Sequence, residues 1–312
     1  MIIRKCPLCN SSDYAVLFSF TYEYLTKIQG VDKDLLDFIG FYEDSKSSIV
    51  TCKDCEFIFI REHYEFDKKF EKFWDIKPRK SDNSKFGEKK NFENRRLGNL
   101  IYNSIINQLI MYVNPPSDNP MGKQKWLDYG CGDGHLALMA NGINFVDIIG
   151  FDINNKKLTE ANKKGLNISS SISDINSNGP YDCIICTSVV EHVENPLEII
   201  TSLSKNLKSN GILYLTLPVD SKKNIISHCN DLSKDRLNST YHLGHINYFT
   251  TNQLRSILVK NGLRPYPAFS IWGGFKSEGF KIKLKYFKIG VINPIAKKLV
   301  GNKYNLRFLI KT

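Results

Sequence analysis

The stretch WLDYGCGDGHLALMA, Trp126 to Ala140, places glycines at 130, 132 and 134, directly after an apolar run and directly before a helical pattern. A strand ending at about Tyr129, a glycine turn and a helix beginning near His135 make the first turn of a nucleotide-binding β–α unit. Glycine permits the tight turn and lets the backbone approach a ligand with no Cβ between them. The helix that follows offers its first amides to the same ligand. The spacing is G-x-G-x-G and not G-x-G-x-x-G, so the loop departs from the fingerprint that makes room for a dinucleotide pyrophosphate. That spacing opposes an NAD-dependent oxidoreductase.

Outward from this turn the chain alternates. KWLDYG (125–130), VDIIGFDI (146–153), YDCIICTSV (181–189) and GILYLTLP (211–218) are short apolar runs of buried-strand type, separated by helical patterns such as NNKKLTEANKKG and PLEIITSLSKNLKSNG. Such alternation predicts a doubly wound α/β fold, with a parallel sheet covered on both faces and a ligand at the carboxyl ends of its strands. At the end of the second strand stands Asp152, placed to accept hydrogen bonds from the two hydroxyls of a ribose. A nucleoside without pyrophosphate fits this loop better than a dinucleotide. The loop also carries no phosphate-binding lysine, which suits a cationic ligand.

DYGCGDG, then GFDIN, then Ser173-Asp174-Ile175, then YDCIICTSVVEHVENP resemble, in that order, the motifs of the class I S-adenosylmethionine-dependent methyltransferases. The likeness runs from about Lys125 to Leu263. It implies that Asp128, Gly130 and Gly132 line the methionine end of the cofactor, with Cys131 and Gly134 in the same loop. It also implies that Asp152 holds the ribose with Ile153 beside it, that Asp174 and Ile175 lie near the adenine, and that Ser188 ends the fourth strand under the cofactor. Methyl transfer from a sulfonium is an in-line displacement, so the enzyme aligns donor and acceptor and takes a proton from a hydroxyl or carbon acid.

Candidate bases belong at the strand ends. Glu191 and His192 follow the fourth strand, and His242 and His245 lie in YHLGHINYFT, before the helical TTNQLRSILVKNG. Histidine suits proton transfer near neutral pH, although a Glu-His pair at this place also serves to cap or pack. HINYFT is similar to a segment of zinc-containing sugar C-methyltransferases, which join a cysteine-rich zinc domain to a methyltransferase domain and deprotonate a keto-sugar carrying a nucleoside diphosphate. In that family a Glu-His pair precedes the aromatic segment. Here Gly244-His245 stands, so the histidine carries over and the glutamate does not. His245 is the leading base, and Tyr241 and Tyr248 are candidates to bind a sugar ring.

The first residues carry Cys6-Pro-Leu-Cys9 and, after an insertion, Cys52-Lys-Asp-Cys55, each pair beside a β-rich run (YAVLFSF and EFIFI). Two C-x2-C knuckles supply the four thiolates of a tetrahedral structural zinc site, with no open position for catalysis. The intervening TKIQGVDKDLLDFIGFY reads as a helical insertion. Residues 1–62 are thus a zinc-ribbon-like domain with four cysteine ligands, 63–120 a helical connecting segment with apolar spacing at Phe92, Leu97, Leu100, Ile101, Ile105 and Leu109, and 121–312 the methyltransferase domain. NPPSDNPMG (114–122) marks the linker between them.

With 312 residues and 42% hydrophobic side chains, the chain has a sizeable core and no apolar run of the roughly 20 residues that a membrane helix requires. MIIRKCPLCN lacks a signal-peptide apolar region, so the eight cysteines read as reduced thiols or metal ligands and the expected location is cytoplasmic. The net charge of +11 is concentrated from Lys276 onward, where ten basic residues face the single acid Glu278. This basic segment, about 276–301, suits covering the active site, a peripheral contact with the inner membrane face, or attraction of substrate phosphates. RPYPAFSIW and YNLRFLIKT read as an antiparallel edge hairpin. The expected partner is a small-molecule or glycan substrate, free or nucleotide-linked. The rival reading is a zinc-ribbon nucleic-acid-binding or RNA-modifying protein with a methyltransferase core. Against base methylation, the N/D-P-P-Y/F motif is absent after the fourth strand, where TSVVEH stands.

Overall fold

The computed structural model describes residues 2–28, 33–63, 99, 102–110, 113, 122–219, 221–230, 244–260, 263–267 and 305–311. Short strands β1 (Ile2–Ile3), β2 (Tyr14–Thr21), β3 (Lys46–Cys52), β4 (Ile58–Ile60) and β5 (Glu62–His63) form the N-terminal part. Between β2 and β3 lie a π-helical turn, Tyr24–Ile28, and α1 (Lys33–Ile39), which realise the expected helical insertion. The parallel part alternates β6 (Gln124–Tyr129), α2 (His135–Asn141), β7 (Val146–Phe151), α3 (Asn155–Asn162), β8 (Asn167–Ser169), α4 (Ile172–Asn178), β9 (Tyr181–Thr187), α5 (Pro196–Lys205) and β10 (Leu207–Pro218). Then come α6 (Lys222–Asn230), β11 (Asn247–Tyr248), α7 (Thr251–Lys260), β12 (Arg264–Pro267) and β13 (Asn305–Lys311).

The large sheet has the order β12-β13-β10-β9-β6-β7-β8. Five of its strands, β8, β7, β6, β9 and β10, are parallel. β13 runs antiparallel to β10 and β12 antiparallel to β13, the edge hairpin expected from the tail sequence. Chain order reverses between β6 and β9, so the switch point, and with it the natural ligand crevice, lies where the glycine turn leaves the sheet. The strands are near-continuous apolar runs because both faces are covered. Trp126, Cys183, Ile185, Ile212 and Tyr214 face a layer made by α2 and the helical residues 102–110. The alternate residues Leu127, Ile184, Cys186, Leu213 and Leu215 face α5 and α7. β10 begins at Leu207, earlier than the GILYLTLP run, and a register irregularity between Leu207 and Ile212 absorbs the extra length, with Asn210 in the left-handed region.

The cysteine-bearing sheet packs on this second layer. β2, β3 and β4 are antiparallel, and β11, from the far end of the chain, pairs with β4 through Asn247↔Phe59 and Tyr248↔Ile58. Val50, Cys52, Phe57 and Phe59 share a buried cluster with Phe249, Leu254 and Leu258. The opposite face of the same strands, Ile49, Ile58 and Ile60, packs on Leu25, Leu35 and Leu36 of the insertion. Tyr248 belongs to that core and not to an open site. Tyr241, His242, most of 63–120 and the basic segment 276–301 lie outside the described residues.

Candidate active site

The loop after β6 is built by backbone conformation. Gly130, Gly132 and Gly134 all have positive φ, 81°, 57° and 74°. A Cβ on Gly130 would stand 2.4 Å from Val189 Cγ2, and one on Gly134 would stand 2.4 Å from Leu166 Cδ1 and 3.0 Å from Ala161 Cβ. These two glycines are therefore set by packing. Gly132 faces open space, its nearest neighbour being Lys157 Cδ at 4.0 Å, so its surface is left for a ligand. The Gly132 amide donates to Asp152 Oδ2 at 2.8 Å and the Asn154 amide to Asp152 Oδ1 at 2.9 Å. Each carboxylate oxygen keeps acceptor capacity for a further donor. Asn154 caps α3 by accepting from the Lys157 amide at 3.0 Å, which fixes the turn that holds Asp152.

Asp128 is buried beneath the loop, and its Oδ2 has no hydrogen-bond partner among the described residues. Burial, with a smaller contribution from the charge of Asp152, pushes its carboxyl up to about 7. Ile153 and Ile172, each 45% exposed, stand just beyond the ends of the neighbouring strands β7 and β8 and leave apolar surface beside Asp152 and Asp174. Asp174 accepts from the Ser169 hydroxyl at 2.6 Å. Ile175 and Cys131 turn their side chains away from the surface of the loop. The Ile175 side chain is packed in the core, and Cys131 Sγ lies under the loop against Gly150. Ser188, past the end of β9, has φ of 53° and donates its amide to the Thr216 carbonyl. Burial raises the Cys131, Cys183 and Cys186 thiols well above their usual range, so they are packing groups.

Glu191, His192 and His245 are brought together, with ligand atoms within 4.8 Å of one another and all three residues buried. His192 Nδ1 is 2.6 Å from the Gly244 carbonyl oxygen. A carbonyl only accepts, so Nδ1 carries a proton and Nε2 of the neutral ring holds a lone pair. That nitrogen is 3.8 Å from Glu191 Oε1, and the His192 and His245 rings are 4.8 Å apart. Burial drives the Glu191 carboxyl up to about 8, against smaller pulls from its own backbone amide and the Ser188 hydroxyl. Glu191 thus stands beside both histidines, although it is far from position 244 in the sequence. Arg4 and Asn247, which sequence reading passes over, hold the loops that carry this trio. Their signal in the sequence is weak, because each looks like an ordinary polar residue in an apolar segment.

The four N-terminal cysteines also converge. Cys6 Sγ is 3.4 Å from Cys55 Sγ, and Cys9 Sγ is 3.5 Å from Cys52 Sγ. Both knuckles are closed alike: the amide of Asn10 donates to the Cys6 carbonyl and that of Glu56 to the Cys52 carbonyl, with φ of 60° and 59° at the closing residues.

A family model described as a methyltransferase domain matches residues 62–267, well over half of the chain. With the sheet order and the glycine turn, this places the chain in the class I S-adenosylmethionine-dependent methyltransferase family. The ubiquinone biosynthesis O-methyltransferase of Rickettsia canadensis (strain McKiel) is 38% identical over 104 residues, covering 31% of this chain and 44% of that protein. Its counterpart in Rickettsia bellii (strain OSU 85-389) is 32% identical over 134 residues, 41% of this chain and 54% of that one. The chain thus spans about half, or less, of the curated relatives it matches. Among solved structures, the plantazolicin methyltransferase BamL in complex with a triazolic desmethylPZN analog and SAH shares the fold, with a TM-score of 0.50 and 16% identity over 79% of this chain and 95% of that chain. No helix among the described residues is long and apolar enough to cross a membrane.

Proposed function

We propose that this chain transfers a methyl group from S-adenosylmethionine to a hydroxyl or carbon acid of a sugar, free, nucleotide-linked or in a glycan precursor, by general-base catalysis. One observation carries the reading: buried Glu191 and His192, just past β9, the strand beside the one that ends in the glycine turn, are met there by buried His245. The cofactor fits the residues present. Asp128 offers a buried acceptor to an ammonium, Gly132 an open backbone, Asp152 two oxygens to ribose hydroxyls, and Ile153 with Ile172 apolar surface to an adenine. When bound, S-adenosylmethionine supplies an electrophilic methyl on a sulfonium. Nε2 of His192, or the His245 ring beside it, takes the acceptor's proton, with the Glu191 carboxyl 3.8 Å from that His192 nitrogen. Support for a sugar acceptor comes from the pairing of a four-cysteine unit with the His245 segment.

The cysteine set fits structural zinc. A tetrahedron with Zn–S of about 2.3 Å spaces sulfurs by roughly 3.8 Å, close to the pairs seen. A second reading, O-methylation of a ubiquinone-pathway acceptor, is favoured by the 38% identity to an enzyme of that name.

Calorimetric titration of the protein with S-adenosylhomocysteine, S-adenosylmethionine and NAD tests the cofactor. The two sulfur nucleosides are expected to bind, with Asp152→Ala weakening them roughly 10–100-fold through loss of charge-assisted hydrogen bonds. Binding of NAD alone overturns the reading. Transfer of labelled methyl to sugar nucleotides, lost in His245→Ala, identifies the acceptor class. Transfer to a ubiquinone precursor instead moves the second reading to the front.

A further inference from the structure

We propose that Arg4 and Asn247 form a clamp through which the cysteine-bearing N-terminal segment positions the two loops that carry Glu191, His192 and His245. The four-cysteine unit is then a strut of the active site and not an appended binding module. The role assigned to the trio rests on the function proposed above, whereas the clamp itself rests on geometry.

Arg4 lies two residues before Cys6 and is only 9% exposed. Its Nη1 donates to the carbonyls of Ile60 at 3.2 Å and Ile246 at 3.1 Å, and its Nη2 to the Glu194 carbonyl at 2.8 Å and Asn247 Oδ1 at 2.9 Å. One planar guanidinium thus gathers the cysteine sheet, the loop after β9 and the segment after His245. The Arg4 amide is tied to the Arg61 carbonyl, which sets the side chain's starting point.

Asn247 completes the joint. Its Oδ1 accepts from Arg4, while Nδ2 donates to the Val190 carbonyl at 3.0 Å and the Val193 carbonyl at 2.6 Å, one on each side of Glu191 and His192. The amide orientation is dictated by chemistry, because the flipped group would set an oxygen against two carbonyls and an NH2 against a guanidinium. Backbone bonds run in parallel: the amides of Ile246 and Asn247 donate to the Glu191 carbonyl at 2.9 and 3.2 Å, and His192 Nδ1 bonds the Gly244 carbonyl. The joint therefore sets both the spacing of the loops and the tautomer of His192. A buried arginine bonded to three carbonyls and one amide oxygen fixes their positions relative to one another.

The test uses the full chain and needs no acceptor. Hydrogen exchange, the histidine side-chain 15N spectrum (the chain has six histidines) and S-adenosylhomocysteine affinity are compared in wild type, Arg4→Met, Arg4→Lys and Asn247→Asp. In Arg4→Met the amides of Ile246 and Asn247 are expected to exchange about tenfold faster or more, because buried carbonyls lose their donor. The His192 Nδ1 signal shifts, and cofactor affinity stays within about twofold, the sites being separate. Arg4→Lys, which keeps a charge and donors, recovers part of the protection. Asn247→Asp retains the Arg4 acceptor but sets a carboxylate against two carbonyls, so it speeds exchange in 188–195 more than in β3; it decides the matter if Arg4→Met does not fold. Faster exchange confined to 2–11 and 46–63, with an unmoved His192 signal, overturns the clamp. Failure of wild type to bind the nucleoside instead overturns the proposed function and leaves the exchange result to judge the joint.

Discussion

Glu191 is a carboxyl that the fold takes out of water, at 1% exposure, and gives no strong partner. Its pKa rises from an ordinary 4.5 to about 8, chiefly through burial. Between those values the folded chain holds a proton that the unfolded chain releases, so the stability linked to Glu191 is fully present below about 4.5 and is lost as pH rises through 8. Asp128 acts in the same direction up to about 7. Glu191→Gln keeps the shape and removes the charge. Its melting temperature is expected to match wild type near pH 4 and to exceed it increasingly as pH rises to about 8, by on the order of several °C. Calorimetry across that range checks the sign. Curves that fall in parallel would mean that Glu191 is already ionised in the folded state at neutral pH. On the function proposed above, the same variant is also expected to lose methyl transfer, which a labelled-methyl assay checks.

At the scale of elements, the turn joining β6 to α2 separates packing from binding. Gly134→Ala brings a Cβ against Leu166 and Ala161 at a left-handed position, and is expected to cost roughly 2 kcal/mol or more in urea unfolding. Gly132→Ala meets open space and carries only the backbone term of about 1–2 kcal/mol. Its larger effect is predicted in S-adenosylhomocysteine titration, where the new methyl occupies ligand space. Equal affinity losses in the two variants would refute this division. The turn, the strand ends at Asp152 and Ser188 and the two cysteine knuckles are legible in the sequence because each depends on a few adjacent residues with strong local rules. The direction of Cys131 and the burial of Ile175 are not legible, since either side chain suits both the pocket and the core until the helix register is fixed. Least legible are Arg4 and Asn247, whose side-chain bonds all span more than 50 residues, three of those from Arg4 spanning 190 or more. The approach of Glu191 to His245 is hidden for the same reason, the two coming from loops more than 50 residues apart.

For the molecule as a whole, the question is whether the cysteine-bearing part and the parallel sheet are two bodies or one. The linker-like composition of 114–122 suggests a joint in the chain, yet the buried clusters cross it. Cys6, Cys52 and Phe57 pack in one cluster with Leu215, Phe249 and Leu254, while β11 is a strand of the N-terminal sheet contributed by the residues that follow His245. Parts that share a core and a strand lose their packing together. A single calorimetric transition is therefore expected, with hydrogen exchange in β3 and β9 reporting the same free energy of opening. With the four cysteines holding the zinc proposed above, adding a chelator, or changing Cys52 to Ser, is expected to lower that one transition by on the order of 10 °C, because a ligand bound only by the folded state stabilises all that unfolds with it. A chelator effect confined to an early, separate transition would show the four-cysteine unit melting on its own, and the clamp from Arg4 to the Glu191 loop would then lose its mechanical basis. If instead both sheets melt together and the loss of metal also accelerates exchange at Ile246, the distance between the cysteines and the base is bridged by rigid structure and not by chance contact.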